Sequence, residues 1–310
     1  MPEDRANMKN SLKILINIAI FFVVAGFVWY MVLSINKNET IYAETTTEEP
    51  FISPYKQVSS FTLPHEINRF ELYNGQLYIS AGEYVYIYDS EGKQLSSFKV
   101  KPDVRDITVG EEKIYVLYPS FIEVYSHGGE LIHQWEACSE LSDYCSFALA
   151  GGFVFVTDAE NKNICKYTEE GNFIKFISSP QNFIIPSYSF DIESRNDTLY
   201  CTNSGRRLIE TYTLDGEFIA AFGGPGSEPG FFAGCCNPVY ISFSPDGGLL
   251  TSEKGNPRIS SFERNGKFNE ILLNSRTLGG GNKAYEIRAN EDKLFVSGKN
   301  KISIFEYNKI

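Results

Sequence analysis

Residues 199–219 open with the apolar triplet Leu199-Tyr200-Cys201, continue through Leu208-Ile209-Glu210-Thr211-Tyr212, turn at Thr213-Leu214-Asp215-Gly216 and resume as Glu217-Phe218-Ile219. Apolar and aromatic residues alternating at a period of two mark half-buried strands, and Asp-Gly between such runs marks a tight turn with positive φ at glycine. The same unit recurs. Leu77-Tyr78-Ile79, Ile114-Tyr115-Val116, Val154-Phe155-Val156, Leu249-Leu250-Thr251 and Leu294-Phe295-Val296 are the other triplets. About ten residues after each triplet an aromatic ends an alternating run: Tyr88, Tyr125, Tyr167, Tyr212, Phe262 and Phe305. Four residues beyond the first five of these stands Gly92, Gly129, Gly171, Gly216 or Gly266, at intervals of 37, 42, 45 and 50 residues.

Each unit also carries an apolar stretch before its triplet and a strand after its glycine. Val239-Tyr240-Ile241-Ser242-Phe243 and Asn172-Phe173-Ile174-Lys175-Phe176 are examples. Four strands in about 40 residues, repeated six times, predict an all-β, six-bladed β-propeller over residues 55–310. The sixth unit ends at Ile310, before an outer strand. Residues 57–63, Gln-Val-Ser-Ser-Phe-Thr-Leu, precede the first inner strand and are expected to supply it, since an open ring would leave an unpaired edge.

The N-terminal part reads differently. Residues 14–36 contain 23 residues without a charge, with Trp29 and Tyr30 toward the far end. At a helical rise of about 1.5 Å per residue this length crosses a bilayer core of roughly 30 Å. We therefore expect an uncleaved single transmembrane signal-anchor helix at 14–36, preceded by a cytoplasmic segment 1–13 and followed by a polar linker 37–54. Arg5, Lys9 and Lys13 precede the span and only Lys37 closely follows it. Positive-inside bias then places the C-terminal domain in the periplasm or outside the cell.

Composition narrows the partners. Aromatic residues make up 15% of the 310-residue chain, too many for a chain unable to bury a core. The net charge is −11 and no basic block occurs, which excludes a nucleic-acid partner. The expected partners are the membrane, through the N-terminal helix, and a protein or small-molecule ligand.

Ala221-Phe222-Gly223-Gly224, Gly230-Phe231 and Pro238-Val239-Tyr240-Ile241-Ser242 together resemble the NHL repeat of six-bladed propellers. Val156-Thr157-Asp158-Ala159-Glu160-Asn161 resembles the D-x-x-N turn of that repeat. Gly234-Cys235-Cys236-Asn237-Pro238, with Thr251-Ser252-Glu253-Lys254-Gly255-Asn256-Pro257-Arg258, is similar to a subgroup of bacterial, membrane-anchored NHL-like proteins. The resemblance implies a membrane-anchored propeller.

In a propeller, the connection from one blade's outer strand to the next inner strand lies on the same face as the connection between second and third strands. We call this face the top; the Tyr-x-x-x-Gly turns lie on the bottom. The borrowed outer strand runs upward, so the tether enters at the bottom and the top points away from the membrane. Top connections carry Cys138, Cys145, Cys235 and Cys236. Outside the cytoplasm the first expectation is structural pairing, as a Cys138–Cys145 bridge with either a vicinal Cys235–Cys236 bond or two free thiols. The alternative is a redox or metal centre. Cys165 and Cys201 sit in strands, as buried thiols or as a bridge between consecutive blades. Glu253, Lys254 and Arg258 share one top connection, Arg206 and Arg207 another, and Asp158 and Asn161 a third. These seven are the candidate binding residues.

Catalysis has little support. His65, His127 and His133 are scattered, and no Gly-x-Ser-x-Gly, His-Glu-x-x-His or phosphate loop occurs. Asp106, Asp191 and Glu286 begin inner strands and are the acids a channel calcium ion would use. The expected function is a binding module acting through the top face. A cysteine-dependent redox or metal-binding protein of the cell envelope is the alternative, and a calcium-dependent hydrolase or lactonase the third. No specific cofactor is indicated.

Overall fold

The computed structural model describes residues 16–31 and 51–308, which divide into the units Met1–Ile52 and Ser53–Ile310. In the first unit, residues 16–31 form a helix with every side chain exposed. Among the described residues no helix is long and apolar enough to cross a membrane. The expected segment 1–13, both ends of the expected span and residues 37–50 of the expected linker lie outside the described residues.

The second unit holds six four-stranded antiparallel sheets, each running from an inner to an outer strand. The inner strands are Ile67–Tyr73, Asp106–Val109, Tyr144–Ala150, Ile192–Arg195, Tyr240–Phe243 and Ile287–Asn290. Blades 1 to 5 are continuous in sequence. Blade 6 takes its outer strand from the N-terminal end of the unit: Tyr55–Thr62 pairs with Lys301–Tyr307. Ser59, Ser60, Phe61 and Thr62 lie opposite Ile304, Ser303, Ile302 and Lys301. Beyond the ladder, the Asn308 N–H donates to the Pro54 carbonyl at 2.7 Å and the Leu63 N–H to the Asn300 carbonyl at 2.8 Å. The expected closure is therefore present.

Apolar alternation gives each sheet two faces, and each face packs on the next blade. Six hydrophobic clusters of buried residues result, one at every junction between consecutive blades. Phe70, Leu77 and Ile79 of blade 1 pack with Phe295, Ile302 and Ile304 of blade 6, so the closing junction is built like the others. Fully burying one such side chain stabilises the fold by roughly 1.5–3 kcal/mol.

The repeated glycines explain themselves at these junctions. Gly129 and Gly266 have φ of 81° and 88°, conformations that side chains rarely adopt. A Cβ on Gly129 would lie 2.4 Å from Phe98, and one on Gly266 would lie 2.3 Å from Phe222. Each of those aromatics belongs to the outer strand of the preceding blade. Gly92 stands in the same relation to Phe61 on the borrowed strand, which stacks on Tyr88 at 4.6 Å. The glycine period in the sequence is thus an inter-blade contact, and it holds across the closure.

Candidate functional site in the channel and its upper mouth

Every inner strand carries a buried apolar residue in one register: Phe70, Ile107, Phe147, Ile192, Ile241 and Ile287. The residue before each points the other way, into the axis. Those six are Arg69, Asp106, Ser146, Asp191, Tyr240 and Glu286, one per blade. They meet around a single guanidinium. Arg69 Nε donates to Asp106 Oδ1 at 3.1 Å, and its Nη2 to Asp191 Oδ1 at 2.6 Å and Ser146 Oγ at 3.3 Å. Glu286 Oε1 lies 3.6 Å from Arg69 Nε, and the Tyr240 ring lies 4.7 Å from the guanidinium carbon. Main-chain donors fix the acids: Ile107 and Phe147 to Asp106, Ile241 to Asp191, Phe70 to Glu286.

One step further along the axis, Arg288 makes a second hub. Its Nε is 3.1 Å from Glu71, and its Nη2 is 3.2 Å from Glu193 and 3.5 Å from Glu286. Five carboxyls thus face two guanidiniums, an excess of three. A buried excess of negative charge is relieved by proton uptake. Burial pushes Glu286 up to about 7, against the opposing pull of Arg69 and Arg288. Burial likewise raises Glu71, and pushes Glu193 well above the usual carboxylate range. Three raised carboxyls match the excess of three, so the plug is neutral when they hold protons. Burial also disfavours the charged form of Arg69, but Asp106, Glu286 and Asp191 outweigh it and keep the guanidinium charged.

The acids expected to hold calcium therefore do converge. The cation at their centre is Arg69, a residue that reads in Asn68-Arg69-Phe70 as an ordinary solvated strand position. Lining up the six inner strands and reading the residue before the buried apolar one would have exposed it.

Above this plug two clefts open at the top. One, about 220 Å³, is lined by Arg69, Arg105, Ser146, Tyr188, Asp191 and Tyr240. The other, about 350 Å³, is lined by Asn68, Lys283, Tyr285, Glu286 and Lys299, and shares Tyr240. Arg105 reaches the rim, 3.6 Å from Asp143 and 5.6 Å from the Tyr188 ring centre.

The seven candidate binding residues line neither cleft. They occupy connections between second and third strands, at greater radius, and are engaged with their own surroundings. Glu253 is buried and pairs with Arg258 at 2.5 Å, while Arg258 donates to the Phe231 carbonyl. Asn161 donates Nδ2 to Asp158 Oδ2 at 2.8 Å, closing the turn. Arg206 donates Nε to the Asn182 carbonyl at 3.0 Å. The Arg207 carbonyl accepts from the Gly224 N–H at 2.8 Å. Lys254 takes part through its main chain, exchanging hydrogen bonds of 2.9 and 3.0 Å with the buried Asn237 side chain. Asn237 thereby pins the loop that carries Cys235 and Cys236.

The cysteines rearrange the expected pairing. Cys235 and Cys236 form the vicinal disulfide. Cys145 is buried and turned toward the Asp143 carbonyl, and Cys138 lies 3.2 Å from Cys165 instead. The Cys138–Cys145 bridge is not formed because Cys145 faces the blade 3–4 junction, whereas Cys138 packs at the blade 2–3 junction, where the Tyr144 hydroxyl accepts its N–H at 3.0 Å. Cys165 faces the blade 2–3 junction and Cys201 the blade 3–4 junction, so these two are separated by a sheet. None of the three histidines lines either cleft, and His127 sits on a bottom turn against the Gly110 carbonyl.

No family model matches the chain, and no curated protein matches it. Solved structures share its fold. Virginiamycin B lyase from Staphylococcus aureus superposes with a TM-score of 0.61 at 14% identity, over 81% of this chain and 99% of that one. A streptogramin B lyase superposes at 0.59 and 17%, over 83% and 88%. The WD40 domain of Neurospora crassa Pan2 gives 0.51 and 9%, over 84% and 98%. At these identities the likeness concerns the fold alone.

Proposed function

We propose that this chain is a membrane-anchored propeller of NHL type, displayed outside the cytoplasm, that binds a protein segment or small ligand at its upper mouth. The observation that carries the reading is the plug. Six inner strands each commit their axial residue to one ionic closure, leaving two clefts above it. A floor held by ion pairs beneath loop-lined clefts suits recognition. A hydrolase reading would need the axial acids for a metal ion, whereas here they are engaged by Arg69 and Arg288. Lyase chemistry belongs to two of the structural neighbours, but no histidine lines either cleft among the described residues.

The anchor reading rests on the uncharged stretch 14–36 and on the described part of it, a helix apolar around its whole circumference. Such a helix needs a membrane or a deep protein core to cover it. The proposed orientation draws on where the propeller's own chain begins. Ser53 Oγ bonds the Leu272 carbonyl at 2.6 Å, beside the Pro54–Asn308 contact on the bottom edge.

A photo-crosslinking amino acid placed at Tyr188 or Lys283, against one at Glu170 or Asp215 on the bottom turns, tests the reading in cells. Adducts from the first pair only, lost when Arg105→Ala is added, are expected. Equal adducts from both faces, or adducts from the bottom alone, would contradict it. Alkaline extraction of membranes tests the anchor: the chain should stay in the pellet.

A further inference from the structure

The third strands of the blades share a register. Aligning Tyr86, Glu123, Cys165, Glu210, Ser260 and Ser303 puts Cys165 at the position of two buried glutamates. Both glutamates are tied to the top connection that leads into their own blade. Glu123 pairs with Lys101 at 2.7 Å in blade 2, and Glu210 accepts from Ser179 Oγ at 3.2 Å in blade 4. Tyrosine hydroxyls complete both sites: Tyr118 and Tyr125 on Glu123, Tyr212 on Glu210. In blade 3 the same latch position holds Cys165, the connection supplies Cys138, and Tyr144 and Tyr167 are the hydroxyls, 2.5 Å from one another. Where its neighbours use an ion pair and a hydrogen bond, blade 3 has two sulfurs 3.2 Å apart.

That separation is closer than two sulfurs on one tetrahedral zinc, which bonds of about 2.3 Å would hold roughly 3.8 Å apart. Asp158, the one further His, Cys, Asp or Glu ligand close to both sulfurs among the described residues, already accepts from the N–H groups of Asp143 and Asn161 and from the Asn161 amide. The two thiols are unequal in access. Cys138 is partly exposed, whereas Cys165 is fully buried. They also differ in acidity. The hydrogen bond from Cys165 lowers the Cys138 thiol first, with Tyr144, Tyr167 and Ser142 adding to it, and the same bond together with burial raises Cys165. Partial exposure with a hydrogen-bonded thiolate is the environment of an attacking cysteine, and the buried neighbour that of a resolving one.

We propose that Cys138 and Cys165 form a reversible disulfide latch, made by exchange with a disulfide-bearing oxidant that enters at Cys138. The Cys138 thiolate attacks one sulfur of the oxidant's S–S bond. That bond breaks, the other sulfur leaves as a thiolate, and a mixed disulfide remains on Cys138. The deprotonated Cys165 then attacks the Cys138 sulfur and expels the second thiolate. Two electrons pass from the Cys138–Cys165 dithiol to the oxidant, and the two thiol protons end on its two released sulfurs. Closing the latch ties down the connection 137–143, whose Asp143 holds the cleft residue Arg105. The latch does not rest on the binding reading, since neither Cys138 nor Cys165 lines either cleft.

The purified full-length chain is equilibrated in glutathione buffers of graded ratio, quenched with acid, alkylated and mapped by tandem mass spectrometry. Cys165 falls in the short tryptic peptide Asn163-Ile164-Cys165-Lys166, separate from Cys138. Labelling of Cys138 and Cys165 should disappear together under oxidising buffer and return together under reducing buffer, while Cys235 and Cys236 report in their own peptide. Cys165→Ser should trap one glutathione on Cys138, and Cys138→Ser should trap none on Cys165. The proposal is overturned if the two thiols stay reduced in every buffer, or if they stay bonded in every buffer as a fixed staple. It is equally overturned if they are shielded by stoichiometric zinc until a chelator is added. The wild-type titration decides the matter even where a variant fails to fold.

Discussion

The blade junctions repeat one residue position five times and the channel repeats another six times, yet they use the repetition in opposite ways. At the junctions the position keeps its character: a glycine at positive φ under an outer-strand side chain, apolar residues on both sides. In the channel the equivalent position changes at every blade, from Arg69 to Asp106, Ser146, Asp191, Tyr240 and Glu286. Ring geometry demands that junctions be alike, because each must turn the next blade by the same angle. It makes no such demand on the axis, where six side chains share one small volume and must complement one another. Sameness thus records the fold, and difference at a fixed register records what is particular to this molecule.

The contrast can be broken most severely at the closure. Deleting residues 55–62 removes the ladder to Lys301–Tyr307 and the Phe61 ring beneath Gly92. Loss of the cooperative thermal transition, followed by circular dichroism, is expected. A deletion that still melts cooperatively would mean that blade 6 closes without it.

Next in size is the junction glycine itself. Gly129→Ala forces an L-residue to positive φ and drives a Cβ into Phe98. About 2–4 kcal/mol should be lost, from backbone strain plus overpacking. Gly152→Ala is the matched control, at φ 77° but with nothing within 4 Å. Only about 1 kcal/mol should be lost there. Equal losses in denaturant melts would remove the contact from the account.

Smaller, but specific to the channel, is the effect of Glu286→Gln on pH dependence. The folded state raises this carboxyl from 4.5 to about 7. A raised carboxyl contributes stability that is complete below its unfolded value and lost as pH climbs through the folded one. The wild type should therefore weaken between about pH 4.5 and 8, by up to about 3 kcal/mol from this group. The variant should lack that slope, so its stability relative to wild type rises over this window. An unchanged slope would place the titration elsewhere.

The same contrast explains what could be read in advance. Triplets, terminal aromatics and glycines repeat, so the blade number and the borrowed strand at Ser59–Thr62 were legible. The axial acids Asp106, Asp191 and Glu286 were visible as strand-initial carboxyls, but their partner was not. An arginine in an alternating strand reads as solvated, and only register across blades shows that Arg69 faces the axis. Loop charges misdirected attention for the converse reason: Glu253 and Arg258 sit in an exposed-looking connection but satisfy each other. Cys138 has Cys145 seven residues away and Cys165 twenty-seven away. Proximity in sequence favoured the first, while the strand register favours the second.

The most direct test of the account is the stability of Arg69→Met measured against pH. If the guanidinium is the cation around which the axial acids are arranged, its loss leaves buried carboxylates unpaired, at a cost of about 3–5 kcal/mol at pH 8. The deficit should shrink clearly at pH 5, below the raised value of about 7 for Glu286, where that carboxyl holds its proton. A deficit under 1 kcal/mol, or one that is the same at both pH values, would contradict it.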